Sequence, residues 1–274
     1  MRRDQLAAIF RYPISHYSLL FAHSSLPPPS YNAPVNFPVR AITLDLDDTL
    51  WPFAPIGARI DQVLHDWMLQ HSPGTAVRYP VAAMRVLRQQ VFEANPQLVH
   101  DMSALRRLTL EQALRGSGAD LALLEPAYEA FYAERNRVEF YPDSVEALAR
   151  IAARLPVVAL SNGNADLQRI GIDHHFLFQL GSREHGAAKP EASIFLAACA
   201  RLGLEPGAVL HVGDHHEMDV AGACRAGLRS CWLNREGQAW TSQELRPDLE
   251  FDSLAALADW LDANQSNRME HAVA

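Results

Sequence analysis

The sequence predicts an α/β protein whose core is a doubly wound, Rossmann-like parallel sheet and which carries an inserted α-helical domain. Two observations and one rule of chain connection lead to this prediction. Short apolar or β-branched segments alternate with segments whose apolar residues recur at helical spacing. Gly203 and Gly227 follow two of the helical segments, where glycine commonly ends a helix. Strands separated by helices need crossover connections, and these produce parallel pairing in a doubly wound sheet.

Residues 1–38 differ in composition from the rest of the chain. They contain three arginines with almost no acidic residue, and a proline-rich stretch follows at residues 27–38. We expect a poorly ordered N-terminal extension, with a short helix around residues 5–10, joined to the core by an extended proline linker. Its one apolar stretch, residues 14–22, is broken by polar residues, so neither a signal peptide nor a transit peptide is well matched.

The α/β core is expected to comprise residues 39–50 and 141–264, followed by a short tail at residues 265–274. Its strands are predicted at residues 41–46, 156–161, 177–180, 209–213 and 230–233, which are all short and apolar or β-branched. Its helices are predicted at residues 144–153, 192–202 and 220–226. Asp143 or Ser144 is expected to cap the first of these helices.

The interval from residue 51 to residue 140 interrupts this alternation. Several amphipathic helical patterns occupy it, and breaks at residues 71–74, 95–96 and 116–118 separate them. We expect a helical cap domain inserted directly after the first strand. Beside an active site, such a cap closes over substrate and excludes water. A helical subdomain that only enlarges the core is the alternative.

The first predicted strand ends in an acidic run, Asp45-Leu46-Asp47-Asp48-Thr49. Carboxylates this close repel one another and resist burial unless a cation lies among them, and a magnesium ion is the ordinary solution. Side chains alternate along an extended segment, so Asp45 and Asp47 are expected to point one way and Asp48 another. The run therefore predicts a site in which two carboxylates have different tasks.

Further polar clusters are expected at the same edge of the sheet. The second predicted strand ends in Ser161-Asn162, Lys189 precedes a helix, and the fourth strand runs into Asp214, with Asp219 close behind. In open α/β sheets, ligands bind at the carboxyl ends of the strands, where loops from different crossovers converge. Each cluster alone is a common turn or helix start. Their joint occurrence in this order predicts one shared site.

Together these motifs resemble the haloacid dehalogenase superfamily of phosphohydrolases, from about residue 39 to residue 261. The matching residues are Asp45, Asp47 and Thr49 for the first motif, Ser161 for the second, Lys189 for the third, and Asp214 with Asp219 for the paired acids. The inserted helices resemble the helical cap class of the family. The stretches around Ser161, Lys189 and Asp214, with cap residues 95–101, are similar to a bacterial subgroup of riboflavin biosynthesis. That subgroup dephosphorylates flavin mononucleotide and 5-amino-6-(5-phospho-D-ribitylamino)uracil.

The resemblance implies a division of tasks in the acidic run. Asp45 would attack phosphorus and form an aspartyl phosphate, while Asp47 would protonate the leaving group and then activate the hydrolytic water. Magnesium, the implied cofactor, would be held by the Asp45 carboxylate, the Asp47 backbone carbonyl and the Asp214 carboxylate. Asp219 would orient a metal-bound water or Lys189 from outside this ligand set.

The remaining motif residues are expected to bind phosphate or to support the loop. The phosphate-binding candidates are Thr49, Ser161, Asn162 and Lys189. Lys189 supplies positive charge and Ser161 a hydrogen bond, while Thr49 also braces the loop and Asp45. Trp51 either stacks on an aromatic substrate ring or packs at the hinge of the insertion. Asp48 is expected to hydrogen-bond local backbone rather than metal.

The sequence thus predicts a magnesium-dependent phosphomonoester hydrolase acting on a small phosphorylated metabolite, with the two riboflavin-pathway phosphates as favoured substrates. The alternatives are a phosphoryl mutase, a dehalogenase, or a phosphate-binding module without turnover. A net charge of −8 gives no general affinity for nucleic acid or anionic membrane. Three cysteines without a CxxC spacing indicate neither a disulfide framework nor a zinc site. We expect a cytoplasmic enzyme. The oligomeric state is left open.

Overall fold

The computed structural model describes residues 37–241 and 245–273, with side chains as far as residue 264. The predicted helix at residues 5–10 and nearly all of the predicted extension lie outside these residues. Phe37 is buried, and its ring centroid lies 6.3 Å from that of Trp260, so packing against the core has begun by this residue. Among the described residues, no helix combines the length and apolar character that a bilayer span requires.

Six parallel strands form one sheet in the order β3-β2-β1-β4-β5-β6. The strands are β1 (Ala41–Leu44), β2 (Val157–Ser161), β3 (Phe178–Gly181), β4 (Val209–Gly213), β5 (Arg229–Leu233) and β6 (Leu249–Phe251). The predicted doubly wound α/β architecture is confirmed. The chain runs outward from β1 to β3 and then returns to β4, so the switch point of the topology lies between β1 and β4.

The first five strands correspond to the predicted strands, and β6 is an additional one. It spans three residues, and the half-buried Glu250 stands between its two apolar residues. A segment this short gives no usable periodicity, so the strand is specified by its pairing with β5 rather than by its own sequence.

Between β1 and residue 140 the chain contains five α-helices. They are α1 (Phe53–His71), α2 (Pro73–Arg78), α3 (Val81–Ala94), α4 (Met102–Ser117) and α5 (Leu124–Arg135). One buried apolar cluster joins side chains of the sheet, such as Leu44, to Trp51 and to Ile60 and Phe131 of the inserted helices. The insertion therefore shares its apolar packing with the sheet. Its separation as a cap domain at residues 51–140 stays a prediction.

Of the remaining helices, the first lies between the inserted helices and β2, and the others follow β2. They are α6 (Ser144–Ala152), α7 (Leu167–Ile170), α8 (Ser182–His185), α9 (Ala192–Leu202), α10 (Gly222–Arg225) and α11 (Leu254–Val273). The predicted helix at residues 220–226 begins earlier, as a π-helix at His216–Ala221 that runs into α10. The reason is His215, whose Nδ1 accepts the backbone N–H groups of Glu217 and Met218 and so starts the helix there.

Asp143 precedes α6, but its side chain does not cap that helix. Its carboxylate instead accepts the backbone N–H of Leu254 at 2.7 Å and that of Ala255 at 3.3 Å, at the start of α11. The expected local cap is thus replaced by a long-range one, which ties α6 to the C-terminal helix.

Candidate active site

The predicted site residues lie at the carboxyl ends of β1, β2 and β4. Asp45 directly follows β1, and its N–H extends the strand pairing by donating to the Val212 carbonyl at 2.9 Å. Ser161 is the last residue of β2, and Asp214 directly follows β4. Carboxylate oxygens of Asp45, Asp214 and Asp219 all lie within 4.8 Å of one another. Three acids from two neighbouring strand ends therefore form one cluster.

Lys189 is buried at the centre of this cluster. Its Nζ donates to Asp45 Oδ1 and to Asp219 Oδ1, each at 2.6 Å. Asn162 fixes the Lys189 backbone, since its Oδ1 accepts the Lys189 N–H at 2.8 Å and its Nδ2 donates to the Lys189 carbonyl at 2.9 Å. The expected phosphate contact of the Asn162 side chain is not what the structure shows, because both ends of the amide are used to hold the lysine loop.

Both oxygens of Asp219 already have partners. Oδ1 contacts Lys189 and His211 Nε2, the latter at 3.1 Å, and Oδ2 accepts the backbone N–H of His215 at 2.9 Å. Burial alone would raise the pKa of Asp219, but the charge of Lys189 outweighs it and lowers that pKa. Asp219 is thus held as a carboxylate that orients the lysine.

His211 was not singled out from the sequence. It lies on the buried strand β4, and its Nδ1 is 2.9 Å from Thr43 Oγ1 on the adjacent β1. Burial lowers the pKa of His211, so the neutral ring accepts from the Thr43 hydroxyl and donates its Nε2–H to Asp219. The available signal was a polar residue inside an otherwise apolar strand.

The cluster carries more negative charge than its lysine offsets. Burial raises the pKa of Asp45 to about 7 against the opposing charge of Lys189, and Asp219 adds to the rise. Burial and the charges of Asp219 and Asp45 hold the pKa of Asp214 well above its usual range. Carboxylates crowded in this way favour a bound divalent cation, and an all-oxygen donor set suits Mg²⁺. The residues present therefore fit the implied cofactor.

Asp47 lies apart from Lys189 and has two other donors. Trp51 Nε1 donates to its Oδ1 at 2.8 Å, and Arg135 Nη2 donates to its Oδ2 at 2.6 Å. Asp48 has a left-handed backbone, with φ of 58°, and its Oδ1 accepts the backbone N–H of Phe53 at 2.8 Å. The expected local role of Asp48 is confirmed, since it secures the entry into α1.

Trp51 has no exposed surface in this structure. Its ring packs edge-on against Phe140, with centroids 5.6 Å apart, and its N–H is used by Asp47. No face of the indole is open to a substrate ring, so the structure shows packing at the hinge instead of substrate stacking. Thr49 is also fully buried, and its hydroxyl donates to Asp214 Oδ1 at 3.3 Å, so it braces the acid after β4 and not Asp45.

Ser161 remains suited to donate a hydrogen bond. Its Oγ accepts the backbone N–H of Gly163 at 3.0 Å, which leaves the hydroxyl hydrogen free for a ligand oxygen. Arg135, the last residue of α5, reaches the same region and was missed by the sequence analysis. No local signal identified it, because it lies among polar residues of the kind that end any solvated helix.

Two donors from farther along the chain hold the loops of the site. Trp232 on β5 donates its Nε1–H to the Asp214 carbonyl at 2.9 Å. Arg235, just after β5, donates through Nη2 to the Thr49 carbonyl at 3.0 Å and through Nη1 to Asp143 at 2.8 Å. Arg235 therefore joins the acidic run to the segment in which the chain returns from the inserted helices.

Comparisons with known proteins agree with this geometry. A family model described as haloacid dehalogenase-like hydrolase matches residues 39–227. The 5-amino-6-(5-phospho-D-ribitylamino)uracil phosphatase YigB of Escherichia coli is 33% identical over 228 residues, which cover 80% of this chain and 94% of that protein. A phosphoserine phosphatase of Thermus thermophilus is 36% identical over 155 residues, covering 54% of this chain and 62% of that protein. The crystal structure of a 2-haloacid dehalogenase from Pseudomonas syringae matches with a TM-score of 0.76 and 34% identity, covering 82% of this chain and 99% of that one.

Proposed function

The chain belongs to the haloacid dehalogenase-like hydrolases, and from this premise we propose that it hydrolyses small phosphate monoesters with Mg²⁺ as its cofactor. The observation that carries the proposal is the convergence of Asp45, Lys189 and Asp214 beside Ser161 at the carboxyl ends of three strands. This convergence supports the proposal, because phosphoryl transfer requires a nucleophile, a fixed cation and metal-ligand oxygens around one point.

Asp45 is the proposed nucleophile. Its Oδ1 accepts from Lys189, while its Oδ2 has no hydrogen-bond donor among the residues that the structure describes. The hydrogen bond from Lys189 to one oxygen thus orients the Asp45 carboxylate, and the other oxygen is free to attack phosphorus. The attack forms an aspartyl phosphate and releases the alcohol. Water then attacks the acyl phosphate, which releases inorganic phosphate and regenerates the Asp45 carboxylate.

The metal ligands proposed are the Asp45 and Asp214 carboxylates and the Asp47 backbone carbonyl. Asp219 stays outside this set, since both of its oxygens are already engaged by Lys189, His211 and the His215 backbone. When bound, Mg²⁺ supplies positive charge that lowers the repulsion between the phosphate dianion and the attacking carboxylate.

The remaining tasks fall to Lys189, Ser161 and Asp47. Lys189 and the Ser161 hydroxyl donate to phosphoryl oxygens. Asp47 protonates the departing alkoxide and later takes a proton from the hydrolytic water. Its partners are Trp51 and Arg135 rather than Lys189, which supports a task different from that of Asp45.

For the substrate, we propose 5-amino-6-(5-phospho-D-ribitylamino)uracil or flavin mononucleotide, on the basis of the 33% identity to the phosphatase YigB. The three cysteines are free thiols, which supports action in a reducing compartment such as the cytoplasm. The test is phosphate release in Mg²⁺ from both compounds, phosphoserine and p-nitrophenyl phosphate. Release from none of them, by a folded protein, contradicts the proposal.

Dehalogenation is the second candidate, because a 2-haloacid dehalogenase is a structural relative at 34% identity. Its chemistry expels halide and has no alkoxide to protonate, so the Asp47 carboxylate and the crowded acid cluster would serve no purpose. Halide release from 2-chloropropionate, measured on the same preparation, separates the two activities. Halide release without phosphate release would replace the proposed function.

A further inference from the structure

Arg135 carries a buried guanidinium that joins the inserted helices to the acidic run. We propose that Arg135 is a positioning residue for Asp47, so that the acid and base group of the reaction is aligned only when α5 is packed against the sheet. The inference rests on the proposed function, because it concerns the proton transfers of phosphate-ester hydrolysis.

The contacts of Arg135 connect three parts of the chain. The side chain is 2% exposed, and its Nη2 lies 2.6 Å from Asp47 Oδ2. Its Nε donates to Asn164 Oδ1 at 3.2 Å, in the loop that follows β2. An arginine is rarely buried this deeply unless its charge is paired. Here the charge is paired with the proposed general acid itself.

Asp47 is oriented from both sides. Trp51 Nε1 holds Oδ1 at 2.8 Å, and Arg135 Nη2 holds Oδ2. Trp51 is contiguous with the acidic run, whereas Arg135 lies 88 residues away at the end of α5. Loss of the arginine would leave one donor on the carboxylate and free it to rotate about that contact. The tryptophan alone therefore does not fix both oxygens.

Gly163 provides the space for this ion pair. A Cβ atom at residue 163 would lie 2.7 Å from Asp47 Oδ2 and 3.0 Å from Arg135 Nη2. It would also lie 3.4 Å from Ser161 Oγ, so the pair is adjacent to the proposed phosphate-binding hydroxyl. The sequence thus keeps a residue without a side chain where the two charged groups meet.

One nitrogen of the Arg135 guanidinium, Nη1, is buried and has no hydrogen-bond partner among the described residues. Buried donors without a partner are rare in folded proteins, because they cost the hydration of the group without replacing it. The guanidinium is thus held through Nη2 and Nε alone, so its orientation depends on Asp47 and Asn164.

The inference predicts a dependence on the leaving group. Phenyl phosphate and p-nitrophenyl phosphate have nearly the same shape, but phenolate is much more basic than nitrophenolate and therefore depends more on a proton from Asp47. We expect Arg135→Gln to lower kcat/KM for phenyl phosphate at least about tenfold more than for p-nitrophenyl phosphate. A purely structural loss would lower both values by the same factor.

Three further variants of the full-length protein complete the experiment, all assayed in Mg²⁺ with thermal unfolding measured in parallel. Arg135→Lys keeps the charge but not the planar fork, and is expected to recover part of the selective loss. Gly163→Ala keeps Arg135 and displaces the pair, and is expected to show the same selectivity for leaving group as Arg135→Gln. The matched control is Arg137→Gln, whose arginine is 67% exposed and pairs with Glu134. It is expected to keep the wild-type ratio.

The outcomes are distinct. Selective losses in both Arg135→Gln and Gly163→Ala support the inference, and Gly163→Ala with Arg135→Lys decides if Arg135→Gln does not fold. Equal losses for the two esters, or no loss, overturn the inference and leave the proposed function standing. A wild-type protein inactive toward both esters overturns the proposed function, and the inference falls with it.

Discussion

The ammonium group of Lys189 lies 2.6 Å from the Asp45 carboxylate, and both side chains are buried. The same nitrogen lies 2.6 Å from Asp219, so one cation serves two acids that come from different strand ends. Burial lowers the pKa of Lys189, but the charges of Asp219 and Asp45 outweigh it and hold that pKa above its usual range. Lys189 therefore remains charged while it orients the proposed nucleophile.

Asp45→Asn is expected to remove activity while keeping the fold. An amide is a poor nucleophile, so kcat should fall by at least about a thousandfold. Stability should be unchanged or slightly higher, because the neutral side chain removes the cost of burying a carboxylate whose pKa burial raises to about 7 against the charge of Lys189. Phosphate release and thermal unfolding measure the two effects, and a variant within about tenfold of wild-type kcat would remove Asp45 from its assigned task.

Lys189→Met is expected to destabilise the protein by roughly 3–5 kcal/mol, because it leaves the buried Asp219 and Asp45 without their cation. Adding Asp219→Asn should restore part of that loss, since the second change removes one of the uncompensated charges. Urea unfolding of the two single variants and the double variant gives the coupling energy, expected to exceed about 1 kcal/mol. Strictly additive losses would mean that the observed ion pair does not determine stability.

Removal of Mg²⁺ with a chelator is expected to abolish phosphate release, and added Mg²⁺ to restore it. Asp214→Asn should raise the Mg²⁺ concentration for half-maximal activity by at least about tenfold, because it removes one of the proposed ligands. The control is Asp259→Asn, an acid 71% exposed and paired with Arg150. Unchanged activity in excess chelator would exclude magnesium from the reaction.

Asp143→Ala is expected to lower the free energy of unfolding by about 2 kcal/mol. The carboxylate caps α11 and accepts a hydrogen bond from Arg235, and the substitution removes both contacts. Asp259→Ala removes an exposed acid of the same type and should cost no more than about 0.5 kcal/mol. Equal losses in urea unfolding would show that the cap contributes nothing beyond a surface ion pair.

The stabilisation by Asp143 should also depend on pH. Burial would raise the pKa of Asp143, but hydrogen bonds from Arg235 and the start of α11 outweigh it and lower that pKa. A depressed pKa in the folded state stabilises the fold above the unfolded-state pKa of about 3.9 and ceases to do so as the pH falls through the folded value. The stability difference between wild type and Asp143→Ala should therefore shrink as the pH drops below about 3.9. A stability difference that stays constant with pH would contradict this expectation.

Much of the site could be predicted because its chemistry is local in sequence. Asp45 and Asp214 directly follow short apolar strands, and the topology of a doubly wound sheet brings such strand ends together. The strands β1 to β5 were predicted for the same reason, since each has a recognisable apolar run. Sequence motifs thus identified which residues meet, although not which partners their side chains choose.

The differences arise from contacts between residues far apart in the chain. Arg135 forms an ion pair with Asp47, 88 positions away in the chain, and the Asn162 amide hydrogen-bonds to the backbone of Lys189, 27 positions away. Asp143 was expected to cap the adjacent α6 but caps α11, 111 positions away. In each case the residue type permits several partners, and tertiary packing decides between them.

The contacts of Trp232 and Arg235 bear on where an autonomous catalytic unit ends. The family match stops at residue 227, yet Trp232 supports the Asp214 carbonyl and Arg235 supports the Thr49 carbonyl. A fragment cut after Gly227 would keep every motif residue. It would lose Trp232 and Arg235, whose hydrogen bonds hold the loops that contain Asp214 and Thr49. The smallest independently folding enzyme is therefore longer than its motif-bearing stretch, and a truncation designed from the motifs alone would retain the chemical groups without their alignment.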